Sequence, residues 1–160
     1  KKQLAFVTQF NHPREITPES TLAVKRLRDI GVPVHNQAVL LRGVNDDSHT
    51  LGTLLKRLTA IGVQPYYVYQ CRPVKGVKNQ FQVPLRQGWQ IVQGAKAMQN
   101  GLGKSFRYCL SHVTGKMEIL GPAGGDEMLF QYHEAKDPAL LGTLHTQALA
   151  PDQAWPDDTE

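Results

Sequence analysis

The chain has 160 residues, enough for one domain with a buried core, and its 41% hydrophobic and 20% charged residues are ordinary for a globular protein. Lys and Arg outnumber Asp and Glu by 18 to 14, but the basic residues are scattered and not interleaved with aromatic residues, which argues against a nucleic-acid surface. No apolar run approaches the roughly 18–20 residues of a membrane span. We therefore expect neither nucleic acid nor membrane as a partner, and a surface that accepts anionic ligands.

The two cysteines, Cys71 and Cys109, have neither metal-ligand nor disulfide-framework spacing. Reduced thiols and a cytoplasmic location are the expectation. At the N-terminus, two lysines precede a short apolar stretch that Thr8 and Gln9 interrupt, which is not a signal-peptide pattern. Because the chain begins without Met and runs almost directly into strand-like sequence, we expect a fragment of a longer protein.

An apolar run over 4–7 predicts the first strand, and a polar loop over 9–16 follows it. Thr17 is suited to be the N-cap of the first helix and Pro18 to be its first residue. Apolar residues then recur near helical spacing until Gly31, which is expected to end the helix.

The same order of elements repeats along the next part of the chain. Residues 32–41 predict a second strand, and Ser48 is expected to cap the helix after it. A third strand over 63–69 leads through a loop over 71–79 to a helix that begins at Pro84. Strands alternating with helices of this length indicate βαβ units, a parallel sheet and right-handed crossovers.

The pattern changes after Gly103. Residues 106–110 and 116–120 predict two strands around a tight segment, and 128–132 predict one more short strand. The overall expectation is an α/β chain in three segments. These are βα units over 1–103, a β-rich segment over 104–135 and a loosely ordered tail over 136–160.

Polar loops follow the three predicted strands of the βα part, at 9–13, 42–47 and 69–72. In a parallel βα barrel or open α/β sheet, ligands bind beyond the C-terminal ends of the strands, so these loops are expected to meet at one mouth. Asn36 and Gln37 lie inside the second strand, where a buried polar side chain costs several kcal/mol if unpaired. Each is either structural or ligand-facing, and the pattern alone leaves both open.

Three motifs in register closely resemble lysine 2,3-aminomutase and its relatives: FNHPREIT at 10–17, NQAVLLRGVND at 36–46 and PYYVYQC at 65–71. The resemblance is clear over residues 4 to about 120 and continues more loosely through 132–138. It implies a radical S-adenosylmethionine enzyme of which this chain is the C-terminal portion. The implied fold is the last three βα units of a partial (βα)6 barrel, followed by a short β-rich C-terminal segment that anchors pyridoxal phosphate.

The resemblance also implies three cofactors: a [4Fe-4S] cluster, S-adenosylmethionine and pyridoxal phosphate. In the family, reductive cleavage of S-adenosylmethionine gives a radical that takes a β-hydrogen from an amino acid bound to pyridoxal phosphate, and the amino group migrates from Cα to Cβ. The Cys-x3-Cys-x2-Cys motif for the cluster and the family's N-terminal arginines for the cofactor phosphate are absent here. The chain as given is therefore expected to be inactive alone, with the N-terminal half of the barrel as its partner; a homo-oligomer stays open.

By resemblance, Lys116 is the catalytic lysine that binds pyridoxal phosphate as an imine. It follows Thr114-Gly115 in a tight segment between two strands. Such a lysine needs a depressed pKa and an approachable amine, which a partly buried site next to a glycine provides. The alternative is a hairpin lysine that points to solvent.

Three further residues are cofactor-binding candidates by resemblance. Gln37 aligns with a glutamine that contacts S-adenosylmethionine, and Asn11 and His12 match the family's loop at the same mouth. The alternatives are a structural role for Gln37 and a loop-fixing role for His12. Tyr69 is expected to line the substrate pocket, although packing in the core is nearly as good an explanation.

Arg72 and Cys109 occupy the positions at which lysine-specific members carry two aspartates for the distal ammonium of the substrate. An ammonium there would lose both counter-charges and meet a guanidinium, whereas an arginine suits a distal carboxylate. An acidic, glutamate-like amino acid is therefore the expected substrate. The alternative is that Arg72 turns to solvent or pairs with Asp46 or Asp47, which would leave a pocket for a neutral side chain.

Two other functions stay open at this point. The first is a binding or regulatory half-barrel without catalysis. The second is part of a relative that modifies a lysine on a translation factor.

Overall fold

The computed structural model describes residues 2–156 and has an α/β architecture built on a seven-stranded mixed sheet with the strands in chain order. The strands are β1 Phe6–Thr8, β2 Val34–Leu40, β3 Gln64–Gln70, β4 Arg107–His112, β5 Gly115–Gly124, β6 Glu127–Ala135 and β7 Leu144–Ala148. The helices are α1 Pro18–Asp29, α2 Ser48–Ala60, α3 Lys78–Phe81 and α4 Leu85–Ala97, with 3-10 turns at Pro13–Glu15 and Pro138–Leu140. Within the described residues, none of the helices has the length and apolar character that crossing a membrane requires.

Strands β1 to β4 are parallel neighbours, as the repeated order of strands and helices predicted. Right-handed crossovers that all advance in one direction place α1, α2 and α4 on the same face of the sheet, which we call the helix face. The opposite face is the open face. Strand β2 alternates strictly between buried and half-buried positions, so Val34, Asn36, Ala38 and Leu40 lie on the helix face and His35, Gln37 and Val39 on the open face.

The hydrophobic core lies between the helix face and helices α2 and α4. Helix α2 contributes four almost fully buried leucines, at positions 51, 54, 55 and 58. Gly88 allows α4 to approach the sheet closely, because a Cβ there would collide with the hydroxyl of Tyr108 and contact Leu40. The core includes Tyr108 and Leu110 together with residues before position 103, so the predicted segment boundary there does not interrupt it.

The helix N-termini confirm one sequence prediction and correct another. Thr17 caps α1, since its side chain accepts a hydrogen bond from the backbone N–H of Ser20 at 3.2 Å. The cap of α2 is Asp47 and not Ser48: the Asp47 carboxylate accepts from the N–H of Thr50 at 2.8 Å. Ser48 is the first helical residue, and its hydroxyl donates to the carbonyl of Ile91 on α4.

Strands β4 to β7 are antiparallel, which the sequence predicted in part. The two-residue turn at 113–114 joins β4 to β5 and is shorter than the predicted segment. In this hairpin Cys109 lies opposite Glu118, and Ser111 lies opposite Lys116. Strand β6 covers Glu127–Ala135 and is therefore longer at its C-terminal end than the predicted strand over 128–132.

The predicted loosely ordered tail over 136–160 is wrong for its described part, and 157–160 lie outside the described residues. Strand β7 pairs with β6, and Leu149 and Trp155 are buried in the core. The backbone of this segment also bonds to the βα part: Gln70 donates to the carbonyl of Ala154 at 2.8 Å, and the N–H of Leu85 donates to the carbonyl of Gln153 at 2.9 Å. Its few apolar residues gave no strand signal because this edge strand buries none of its own positions fully.

We predict that Leu149→Ala lowers the free energy of unfolding by about 2–5 kcal/mol, because it removes a buried leucine from the core. The matched control is Leu141→Ala, in the same segment, whose side chain is 60% exposed; it should change stability by less than about 0.5 kcal/mol. Denaturant unfolding of both variants measures the difference. Equal effects of the two substitutions would contradict the docking of this segment.

Candidate functional site

A cavity of about 430 Å³ opens at the C-terminal ends of the parallel strands. It is lined by Gln9, Asn11, Val39, Leu41, Tyr69, Gln70, Cys71, Arg72, Val74, Val77 and Ser111. The predicted loops over 9–13 and 69–72 therefore meet at one mouth, while 42–47 contributes no lining residue. Arg72 is the one charged side chain among these described lining residues.

Asn45 fixes the rim of this cavity from the loop after β2. Its side chain is fully buried and accepts from the N–H of Leu41 at 2.7 Å. Its amide nitrogen donates to the carbonyls of Asn11 and Val39, both at 2.8 Å. Asn11 adds a bond of its own, since its side-chain oxygen accepts from the N–H of Val39 at 2.8 Å. The amides thus join the loop after β1 to the end of β2.

His12 lies beside this rim without lining the cavity. Its Nδ1 accepts from the backbone N–H of Arg14 at 3.1 Å, and the backbone N–H of His12 donates to the carboxylate of Glu15 at 2.9 Å. His12 therefore caps the 3-10 turn, which is the loop-fixing role that the sequence left open. A contact of His12 or Asn11 with a cofactor stays a prediction.

The two polar residues inside β2 have different environments. Asn36 is buried on the helix face, where its oxygen accepts from Thr8 and from the N–H of Phe10, and its nitrogen donates to the carbonyl of Phe10. Asn36 is therefore structural. Gln37 is half-buried on the open face and does not line the cavity. Its contact with S-adenosylmethionine stays a prediction.

Lys116 is the second residue of β5 and lies on the open face. Its neighbours across the sheet are Ser111 of β4 and Glu134 of β6. Its Nζ lies 2.6 Å from a carboxylate oxygen of Glu134 and 4.8 Å from the ring centroid of Tyr67. The side chain is 18% exposed, so Lys116 does not point to solvent. Ser111 and Tyr69, its neighbours, both line the cavity.

The predicted depressed pKa of Lys116 is wrong for this structure. Burial by itself lowers the pKa of Lys116, but the hydrogen bond to Glu134 and the neighbouring Tyr69 together outweigh burial, and the pKa is raised above its ordinary value. The same bond lowers the pKa of Glu134. Lys116 is therefore held as an ammonium.

A chain of polar contacts on the open face was not predicted from the sequence. The hydroxyl of Tyr67 lies 2.7 Å from Nε2 of His133, whose Nδ1 lies 2.8 Å from the guanidinium of Arg107. Arg107 is in turn 3.3 Å from a carboxylate oxygen of Glu118. Burial and the charge of Arg107 lower the pKa of His133, so this imidazole is held neutral. The polar pair His133-Glu134 inside an otherwise strand-like run was the available signal.

The cavity brings Arg72 and Tyr69 together and leaves Cys109 out. Arg72 is exposed at the rim, which agrees with the predicted alternative that it turns to solvent. Within residues 2–156 it forms no ion pair with Asp46 or Asp47, so that part of the alternative is wrong. The thiol of Cys109 is fully buried on β4, and burial, reinforced by Glu118, raises its pKa to about 12. A substrate contact through Cys109 therefore disagrees with its burial.

The described residues do not fit an iron–sulfur cluster. Cys71 and Cys109 are buried free thiols. In the described part of the chain, no group of three or more His, Cys, Asp or Glu side chains is arranged to hold a metal ion.

Comparison with known proteins relates the chain to aminomutases. A protein of Aquifex aeolicus, named provisionally as an L-lysine 2,3-aminomutase, is 42% identical over 157 residues, which are 98% of this chain and 41% of its own length. The L-lysine 2,3-aminomutase of Clostridium subterminale is 48% identical over 118 residues, 74% of this chain and 26% of its own length. The glutamate 2,3-aminomutase of Clostridioides difficile is 42% identical over 95 residues, 59% of this chain and 22% of its own length. No family model matches the chain.

We predict that Asn45→Ala lowers the free energy of unfolding by about 2–4 kcal/mol, because it leaves the buried N–H of Leu41 and the carbonyl of Val39 without their partner. Asp46→Ala removes the adjacent polar side chain of the same loop and is the control, with an expected change below about 1 kcal/mol. Thermal and denaturant unfolding measure both. A tolerated Asn45→Ala would show that the rim does not depend on this amide.

Proposed function

The chain belongs to the lysine 2,3-aminomutase family over the segment that it shares with these relatives, and we propose from this premise that it is the pyridoxal-phosphate-anchoring portion of an amino acid 2,3-aminomutase, an isomerase. It spans about two fifths of the first relative's length and about a quarter of the second's. The observation that carries the proposal is the position of Lys116. This partly buried amine lies next to Ser111 and Tyr69, which line the cavity at the strand ends.

We propose that β1 to β4 with their helices are the last units of a partial (βα)6 barrel. The support is that four parallel strands follow one another in chain order with all their long helices on one face. Strand β1 is an edge, and Phe6 and Val7 on it are 46% and 47% exposed. Covering such an edge is a role for the N-terminal half of the barrel, which is the partner that we propose.

The residues around Lys116 fit pyridoxal phosphate. An aldehyde needs an amine that it can approach, and Lys116, which Glu134 holds as an ammonium, lies beside residues that line a cavity of about 430 Å³. When bound, the cofactor supplies the conjugated system through which an amino group migrates between neighbouring carbons. Lys116 would hold and orient it, and Tyr69 and Ser111 would border it on the cavity side.

S-adenosylmethionine and the [4Fe-4S] cluster belong to the proposal only by family. Gln37 is the residue that we propose for S-adenosylmethionine, since it lies on the open face of β2. Asn11 and His12 are proposed to act at the mouth, and the hydrogen bonds that fix their loop support a preformed rim. The cluster's ligands would come from outside this chain.

We propose an acidic, glutamate-like substrate. Arg72 is the one charge among the described residues that line the cavity, and no carboxylate within residues 2–156 forms an ion pair with it. A guanidinium in that position can hold a distal carboxylate through two parallel hydrogen bonds. The similarity to a protein named glutamate 2,3-aminomutase supports the same class. No observation favours the non-catalytic half-barrel or the modification of a translation factor.

We predict that Lys116→Ala in the full-length protein abolishes covalent capture of pyridoxal phosphate, because it removes the amine that attacks the aldehyde. Borohydride reduction followed by peptide mapping measures the capture. Lys25→Ala is the matched control, since Lys25 also forms an ion pair at 2.6 Å but is 66% exposed on α1. The label should stay on the Lys116 peptide in this control, and a label on another lysine would refute the assignment.

We predict that the full-length enzyme isomerises glutamate more efficiently than lysine, and that Arg72→Ala lowers kcat/KM for glutamate. A charged hydrogen bond worth about 2–3 kcal/mol corresponds to a loss of roughly thirty- to a hundredfold. Arg42→Ala is the control, because Arg42 is exposed on the neighbouring loop and does not line the cavity. Efficient migration on lysine that Arg72→Ala leaves unchanged would contradict this reading of the pocket.

A further inference from the structure

The ion pair between Lys116 and Glu134 is unusual in where its two ends lie. Lys116 is 18% exposed and Glu134 is 62% exposed, so the carboxylate approaches a recessed ammonium from the solvent side. Another ion pair with the same N···O distance, Lys25 with Asp29, is 66% and 57% exposed and lies on a helix surface. These two pairs share an N···O distance of 2.6 Å, but the lysine of one is much more removed from water than the lysine of the other.

The ring of Tyr67 gives the Lys116 ammonium a second fixed neighbour. Arginine has donors and no acceptor, so Nδ1 of His133 must accept from Arg107. The remaining proton of the neutral imidazole is then on Nε2, which donates to the hydroxyl of Tyr67 at 2.7 Å. Glu118 contacts the same guanidinium nitrogen of Arg107 at 3.3 Å. This chain keeps the Tyr67 ring under Lys116, at a distance suited to a cation–π contact.

Groups from three strands face Lys116. Tyr67 and Tyr69 approach from β3, Cys109 from β4, and His133 and Glu134 from β6. The pKa of the phenol of Tyr69 and that of the Cys109 thiol are raised by burial, and the pKa of His133 is lowered. Glu134 is therefore the one group of this set that is charged opposite to Lys116 at neutral pH.

We propose that Glu134 is a positioning residue for Lys116: its carboxylate holds the ammonium over the Tyr67 ring, and Lys116 acts as a nucleophile only after this ion pair opens. The importance of this ion pair for catalysis rests on the proposed function. The ammonium first gives its proton to water. The free amine then adds to an aldehyde carbon, and the loss of one water molecule leaves a carbon–nitrogen double bond.

Removing the carboxylate should make Lys116 more reactive. With Glu134→Gln, burial is no longer opposed by the carboxylate, so the pKa of Lys116 falls and more of the side chain is free amine at a given pH. A fall of about one pKa unit gives about tenfold more free amine well below the midpoint. Without Glu134, Lys116 should therefore react sooner and with less control over its direction.

The test is competitive labelling of the chain with acetic anhydride, which reacts with free amines, over about pH 6 to 11, followed by mass spectrometry of the lysine peptides. We expect Glu134→Gln to lower the labelling midpoint of Lys116 by about one unit, and Glu134→Asp, which keeps the charge, to restore at least half of the difference. Asp29→Asn is the matched control. It breaks an exposed pair, so it should move Lys25 only slightly and Lys116 not at all.

An unchanged midpoint in Glu134→Gln, with circular dichroism that shows a folded chain, would overturn the inference. A labelling midpoint of Lys116 that falls by the same amount in Asp29→Asn would also overturn it. A parallel arm uses pyridoxal phosphate and borohydride on the same variants. If the anhydride midpoint shifts as expected but pyridoxal phosphate shows no preference for Lys116, the proposed function fails and the ion-pair control of Lys116 stands.

Discussion

Strand β4 carries the constraint on which the site depends, since it pairs in parallel with β3 on one side and antiparallel with β5 on the other. Parallel pairing puts Tyr69 beside Cys109. Antiparallel pairing, fixed by a two-residue turn, returns the chain so that Lys116 lies opposite Ser111. A slip of one residue in the hairpin would send Lys116 to the helix face, because side chains alternate across a strand. The register of one hairpin thus decides whether the amine of Lys116 lies beside Ser111, which lines the cavity.

The open face carries many polar groups, and several of them are paired with one another by hydrogen bonds and ion pairs. Glu118, Arg107 and His133 form one chain of contacts that ends on Tyr67. Each member has its partner across a strand boundary, so the chain also ties β3, β4, β5 and β6 together. Arg107 is 47% exposed, so its ion pair with Glu118 is solvent-screened and contributes little to stability by itself. The contacts matter more for fixing the position of the Tyr67 ring.

The sequence predicted the regular βα elements because their signals are local. Thr17 before Pro18 predicts the start of a helix, and the Thr17 cap is confirmed. The α2 cap was misassigned by one residue because Asp47 and Ser48 are both good caps, and only the backbone geometry selects Asp47. The β7 segment was missed since its order comes from pairing with β6 and from Trp155 and Leu149 reaching a distant core. Such long-range contacts leave no periodic pattern in the segment itself.

Which charges of the site are paired and which are not depends on contacts that no sequence pattern predicts. Lys116 and Glu134 are 18 residues apart, and their pairing neutralises the amine next to the cavity. Arg72 has no such partner among the described residues and lines the cavity. The described cavity lining thus carries one uncompensated positive charge, at Arg72, while the net charge of the Lys116–Glu134 pair beside the cavity is close to zero. An anionic group is attracted to the mouth first, and a ligand that reaches Lys116 has to compete with Glu134 for the ammonium. If the proposed function holds, binding is controlled by the charge of Arg72 in the cavity lining and reaction by the ion pair of Lys116 beside it.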